Sequence, residues 1–153
     1  MSRIDDLIRE LCPEGVAFKH LWEITIWDKR FNSVEKIKQI KTIKFPHVSA
    51  KKLKEIEAAG DVKLLSTGKF DGWTNDEQAA SSLGQSEVIT IPSGGSANLK
   101  YWSGKFVDSG NLLATSSDTS KYNLKYIYYF LLSKNNFVES CFKGSGVKHP
   151  DMG

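Results

Sequence analysis

The stretch ITIPSGGSANLKYW, Ile89 to Trp102, holds the residues best suited to chemistry. Pro92 and the Gly94-Gly95 pair interrupt two apolar runs, so backbone N–H groups and the hydroxyls of Ser93 and Ser96 are available to a phosphate or a base edge. Asn98 and Lys100 follow, adding an amide and an ammonium to the same rim. A plain hairpin turn is the competing reading of the glycine pair. The Gly-Lys-Ser/Thr ending of a triphosphate-binding loop is absent. A second loop, STGKFDGWTNDEQ from Ser66 to Gln78, sets Thr67, Lys69 and Trp73 among amides and carboxylates. Amides and acids can read base edges while lysines and hydroxyls hold phosphates. The same mixture suits a surface turn, with Trp73 clamping its own core.

Catalytic patterns are sparse. His20, His47 and His149 have no second histidine or cysteine at metal-ligand spacing, and there is no Gly-x-Ser-x-Gly elbow. One enzymatic alternative stands: Asp61-Val62-Lys63 has the acid-x-lysine form of metal-dependent nucleases, with Glu57 or Asp71 as a second carboxylate for Mg²⁺. Cys12 and Cys141 are far apart and are expected to be buried free thiols.

Charge is uneven. The net charge is +3, yet residues 28 to 69 carry eleven Lys/Arg against five acids, and residues 70 to 119 carry two against six. The basic block, with Lys41, Lys44, Lys51 and Lys52 at its centre, predicts a phosphate-binding surface on one side of the protein, or a solvated face that docks an acidic partner. No window approaches a membrane span, and the start MSRIDDLIRE alternates charges where a signal peptide has an apolar run, so a soluble, cytoplasmic protein is expected.

The elements that must position these residues follow from periodicity. Ser2 with Asp5 three residues on predicts a capped helix over 3 to 11, with Ile4, Leu7, Ile8 and Leu11 on one face. VAFKHLWEITIW predicts one or two strands. Ser49 predicts a helix through Leu53, Ile56 and Ala59, ended by a left-handed Gly60. From Asp61, the runs VKLLST, GKFDGW, SEVITIP, ANLKYW, SGKFVDSG and NLLATS predict consecutive strands in a meander or barrel-like sheet. Asn123 caps a helix with Leu124, Ile127, Tyr128, Leu131 and Leu132 on one face, a short helix follows around NNFVESCF, and CFKGSGVKHPDMG reads as a connection. The expected fold class is α+β, a mixed, strongly curved sheet with a few flanking helices, as a single domain over residues 1–153.

Four segments carry a family resemblance: IDDLIRELCPEGVAFKHLWEI, then GKFDGW, then SEVITIPSGGSANLKYWSGKF, then LKYIYYFL with GSGVKHP. In this order they resemble one target recognition domain, the N-terminal one, of the specificity subunits of type I restriction-modification systems. The resemblance is weakest over residues 28 to 65. It implies a non-catalytic host-defence component that reads one half of a bipartite site in double-stranded DNA. Methyltransferase subunits and a restriction/translocase subunit would then act on that site. Such a domain holds no cofactor itself; S-adenosylmethionine, Mg²⁺ and ATP belong to the partner subunits. The family's long spacer helix and second recognition domain have no counterpart in the 153 residues, so the chain is expected to be either an isolated half-reader or a truncated piece of such a subunit. On this reading the DNA-binding residues are Lys41, Lys44, Lys51, Lys52, Thr67, Lys69, Trp73, Ser93, Gly94, Gly95, Ser96, Asn98 and Lys100.

Overall fold

The computed structural model describes residues 2–15 and 17–153; Val16, part of the expected first strand and of the Gly-Val pair in the resemblance, lies outside them. Helix α1, Arg3–Leu11, forms where its cap predicts. The Ser2 hydroxyl accepts from the Asp5 N–H at 3.3 Å and the Asp5 carboxylate accepts from the Ser2 N–H at 2.9 Å. Its apolar stripe, Ile4, Leu7, Ile8 and Leu11, stays in solvent. The following apolar run yields less strand than expected. Leu21–Ile24 makes one helical turn, α2, because Glu23 folds back to accept from the His20 N–H, and only Thr25–Trp27 extends as β1.

Helix α3, Ala50–Glu55, starts at Ser49, whose hydroxyl accepts from Lys52 N–H. It stops at Ile56, short of the expected Gly60. The chain there is drawn onto strand β3, Asp71–Thr74: Ala58 N–H donates to Trp73 O, and the Thr74 hydroxyl donates to Ile56 O. Gly60 lies so close to the Thr74 carbonyl that a β-carbon would overlap it, so closeness rather than a left-handed cap requires glycine.

The remaining strands are β2, Val62–Leu65, β4, Gly84–Pro92, β5, Lys100–Asp108, and β6, Asn111–Ser116. A short helix α4, Asp76–Ala79, follows β3. The six strands form one mixed sheet in the order β1-β6-β4-β5-β2-β3, with β2 parallel to β5 and every other pair antiparallel. Strands β5 and β6 flank β4, so the sheet is not the meander that the run of strands suggests.

Connectivity dictates curvature. Phe106 pairs with Gly84 at one end of β4, and Asn111 pairs with Pro92 at the other. On a flat sheet those ends are about 26 Å apart, whereas the chain from Phe106 to Asn111 spans at most about 18 Å. The sheet must curl until β5 and β6 meet across β4. Asn111 then reaches over, its Nδ2 donating to Leu65 O at 3.1 Å and to Asp108 Oδ1 at 2.8 Å.

Leu65, Val88, Phe106 and Leu113 fill the inner face of the curl. A strap over residues 42–47 closes it, bridging Trp27 at Thr42 and Asp108 at His47, with the Phe45 ring edge-on to Phe106 at 5.4 Å. The outer face is covered in two places. Leu53 of α3 and Ile56 at its C-terminal cap pack on Val62, Leu64 and Val107. Leu124 and Ile127 of α5, Leu124–Ser133, pack on Ile89, Ile91, Leu112 and Ala114. The Asn123 side chain caps α5 as expected, and helix α6, Asn135–Ser140, follows.

The terminal segment is more than a connection. Phe142–Lys143 and His149–Pro150 pair as a hairpin, β7 and β8, and Phe142 is buried in the core under α5. Both cysteines are free as expected, but neither is buried: Cys12 is exposed and Cys141 half-buried.

Burial raises the Asp108 carboxyl above the ordinary carboxylate range, against the bonds it accepts from Asn111 and Gly110. A raised carboxyl stabilises the fold fully below its unfolded value and loses that contribution as pH rises through the folded one. Thermal melts of wild type and Asp108→Asn should therefore diverge, wild type gaining stability relative to the variant as pH falls from neutral toward the ordinary carboxylate range at about 4. A constant difference across that range contradicts this assignment. Asp108→Ala strands the Gly110 and Asn111 N–H groups and should cost about 3 kcal/mol at neutral pH in denaturant titrations.

Candidate nucleic-acid interface

Beyond the Phe45 plug the inner face turns polar. Strand alternation sends Val62 and Leu64 outward into the core under α3 and Lys63 inward, opposite Trp73. The Lys63 ammonium lies 4.6 Å from the Trp73 ring centroid and 6.0 Å from that of Trp102, and it pairs with Asp71. The two rings meet edge to face at 5.4 Å. Lys63 is 16% exposed and Trp73 is 41% exposed, so the cluster offers solvent an indole backed by a held charge.

The two loops singled out by composition meet beside this cluster. Lys100 donates to Ser66 O at 2.9 Å and to Ser66 Oγ at 3.0 Å. Asn98 Nδ2 donates to Gly68 O at 2.6 Å. Ser66 Oγ in turn donates to Phe70 O at 2.7 Å, closing the turn that carries Thr67 and Lys69. Burial lowers the Lys100 ammonium below its ordinary value, with Lys63 adding to the effect and Asp71 opposing it. Thr67, Lys69, Trp73, Asn98 and Lys100 are thus brought together. Lys100, and the amide nitrogen of Asn98, are spent on positioning the neighbouring loop.

The glycine stretch is a broad loop over 93–99, because β4 pairs with β6 through Pro92 while Thr90 pairs with Lys100. Several of its groups already have partners: Gly95 N–H donates to Lys148 O at 2.7 Å, Ala97 N–H to Glu139 Oε2 at 2.7 Å, and Ser93 O contacts His149 Nδ1 at 2.7 Å. Gly94 faces the terminal hairpin, where a β-carbon would lie 3.2 Å from Val147 Cγ1. Gly95 and Ser96 are exposed, and the space around the Cα of Gly95 is open.

The basic block does not form one side. Lys44 belongs to the strap over the inner face and Lys41 immediately precedes it, while Lys51 and Lys52 lie in the first turn of α3 on the outer face. All four are exposed. Trp102 was not singled out by the sequence, and Lys63 entered only through the nuclease alternative. The signal lay in the Val-Lys-Leu alternation of a strand, which sets Lys63 apart from the core face. Lys63 is held between Asp71 and two indoles, and among the described residues no three histidine, cysteine or acidic side chains gather as a metal site. Among the described residues no helix is long and apolar enough to cross a membrane.

No family model matches the sequence, and no curated protein matches it. Among solved structures the fold is similar to that of a type I restriction-modification system S subunit from M. genitalium, with a TM-score of 0.57 and 15% sequence identity. The match covers 88% of this chain and 30% of that one, so the chain spans about a third of that subunit's length.

Because Lys100 ties the 66–70 turn to β5, Lys100→Met should speed amide exchange over residues 67 to 69 about tenfold. Its half-exposed bonds should cost about 1 kcal/mol of stability in denaturant titrations. Unchanged exchange at those amides shows that the turn stands without the lysine.

Proposed function

We propose that the protein reads one half of a bipartite site in double-stranded DNA, as a target recognition domain of a type I restriction-modification specificity subunit. The observation that carries this reading is the coincidence of two independent features. The fold matches an S subunit over most of the chain, and two polar loops are tied together beside a half-exposed indole on its inner face. In this reading Thr67, Lys69, Trp73, Ser93, Gly94, Gly95, Ser96 and Asn98 form the reading surface, with Lys100 as the post behind it. Backbone approach to DNA is open at Gly95, where no side chain intervenes. Lys41 and Lys44, just before and within the strap, and Lys51 and Lys52 at the start of α3, serve as phosphate contacts on two flanks. Such contacts set register and strengthen binding without choosing sequence.

The chemistry of methylation and cleavage then resides in partner subunits, which would carry S-adenosylmethionine, Mg²⁺ and ATP. A cytoplasmic setting follows from that role. The DNA-reading function is preferred to the nuclease alternative because Lys63 is packed against two indoles and, among the described residues, no three histidine, cysteine or acidic side chains gather as a metal site.

The test is selection of bound duplexes from a random pool, followed by salt titration. Wild type should enrich a short motif of one half-site. Replacing Lys41 and Lys44 with Ala, or Lys51 and Lys52, should weaken cognate and random duplexes alike and reduce the salt slope by roughly 0.9 per lost phosphate contact. Failure of wild type to enrich any motif at low salt rejects the DNA-reading assignment and leaves docking of an acidic protein partner on one of the two basic flanks.

A further inference from the structure

The glycine loop is held from behind by the end of the chain. Gly95 has φ of +96°, a left-handed conformation natural to glycine, and glycine loses more backbone freedom on being fixed than any other residue. A loop with two adjacent glycines does not hold one shape by itself. Here Gly95 N–H donates to Lys148 O, the His149 ring bonds Ser93 O, and Ala97 N–H donates to the Glu139 carboxylate, each at 2.7 Å. Val147 fills the space beside Gly94, where a β-carbon would sit 3.2 Å from it. The hairpin that supplies these groups is anchored in turn. Phe142 shares a core cluster with Ala97 and Leu99 of the loop, and Asp151 N–H donates to Cys141 O at 2.8 Å. On its other side the loop grips the 66–70 turn through Asn98 and Gly68.

We propose that Glu139, Val147 and His149 are positioning residues for the reading surface: the α6–β7–β8 segment fixes the glycine loop, and the loop fixes the 66–70 turn. This rests on the DNA-reading function proposed above. Ser93 O is a carbonyl, so the His149 bond needs a proton on Nδ1, and the ring must stay in that tautomer or be doubly protonated. The Glu139 bond needs only an acceptor, which a glutamine retains. DNA choice by residues 93–98 therefore depends on a segment that makes no base contact itself.

The experiment uses the full chain as wild type, Glu139→Ala, Glu139→Gln and His149→Ala, each checked by circular dichroism. Amide exchange is read at Gly95 and Ala97, and half-site selection is read from a random duplex pool. Glu139→Ala should raise exchange at Ala97 about tenfold or more. It should also relax selection at some positions of the motif while leaving the salt slope unchanged, because no phosphate contact is lost. Glu139→Gln should restore both, and His149→Ala should act at Gly95 in the same sense. Raised exchange with unaltered selection overturns the proposal and reduces the segment to a structural brace. Unaltered exchange overturns it as well, by showing no clamp. A wild type that selects no motif instead sinks the DNA-reading function itself, and the positioning role falls with it.

Discussion

The short link from Asp108 to Asn111 governs the architecture. It joins two strands that flank a third, and its length forbids a flat sheet. The polar groups at the link hold the curl closed: Asp108 accepts from Gly110 N–H, Asn111 N–H and Asn111 Nδ2, and Leu65 O accepts from Ser109 N–H and Asn111 Nδ2. Val48 N–H donates to Asp108 O, so the strap and the start of α3 are tied at the same knot. The knot has a cost. Asp108 is buried with its carboxyl raised, and the buried Asn111 Oδ1 finds no hydrogen-bond partner.

Curvature gives the sheet two faces with different duties. The outer face is apolar and takes helices, since Val62, Leu64, Ile89 and Ile91 alternate toward it. The inner face is too narrow for a helix. It is filled by Phe45 at one end and left to Lys63, Trp73 and Trp102 at the other. The parallel pairing of β2 with β5 brings Lys63 into line with Phe106, on the same inner face as Trp102. The cation–indole contacts and the Asp71 ion pair settle a charge that would otherwise be half buried alone.

The proposed reading surface is a chain of supports rather than a set of independent side chains. Glu139 and the terminal hairpin hold the glycine loop, Asn98 of that loop holds Gly68, and Lys100 holds Ser66. Residues that looked like contacts by type turn out to spend their donors on one another. The most exposed part of the proposed surface is the tip, Gly95 and Ser96, with Lys69 of the neighbouring turn and the half-exposed Trp73 ring.

Local signals determined what local physics controls. The Ser2 and Asp5 capping box, the Ser49 and Asn123 caps and the apolar stripe of α5 were legible because each depends on residues within a turn or two of one another. Strand runs between glycines were legible for the same reason, and composition singled out the two loops that the fold brings together. Only the tertiary structure decided the rest. Helix α3 ends early because β3 competes for its backbone, and the split of the basic block follows from the strap and α3 lying on opposite faces. The terminal GSGVKHP stretch lacks any periodic pattern of its own; it folds because Gly95 and Ser93, over fifty residues earlier, supply its partners. Such contacts join residues far apart in sequence, and no local pattern encodes the distance that a curled sheet removes.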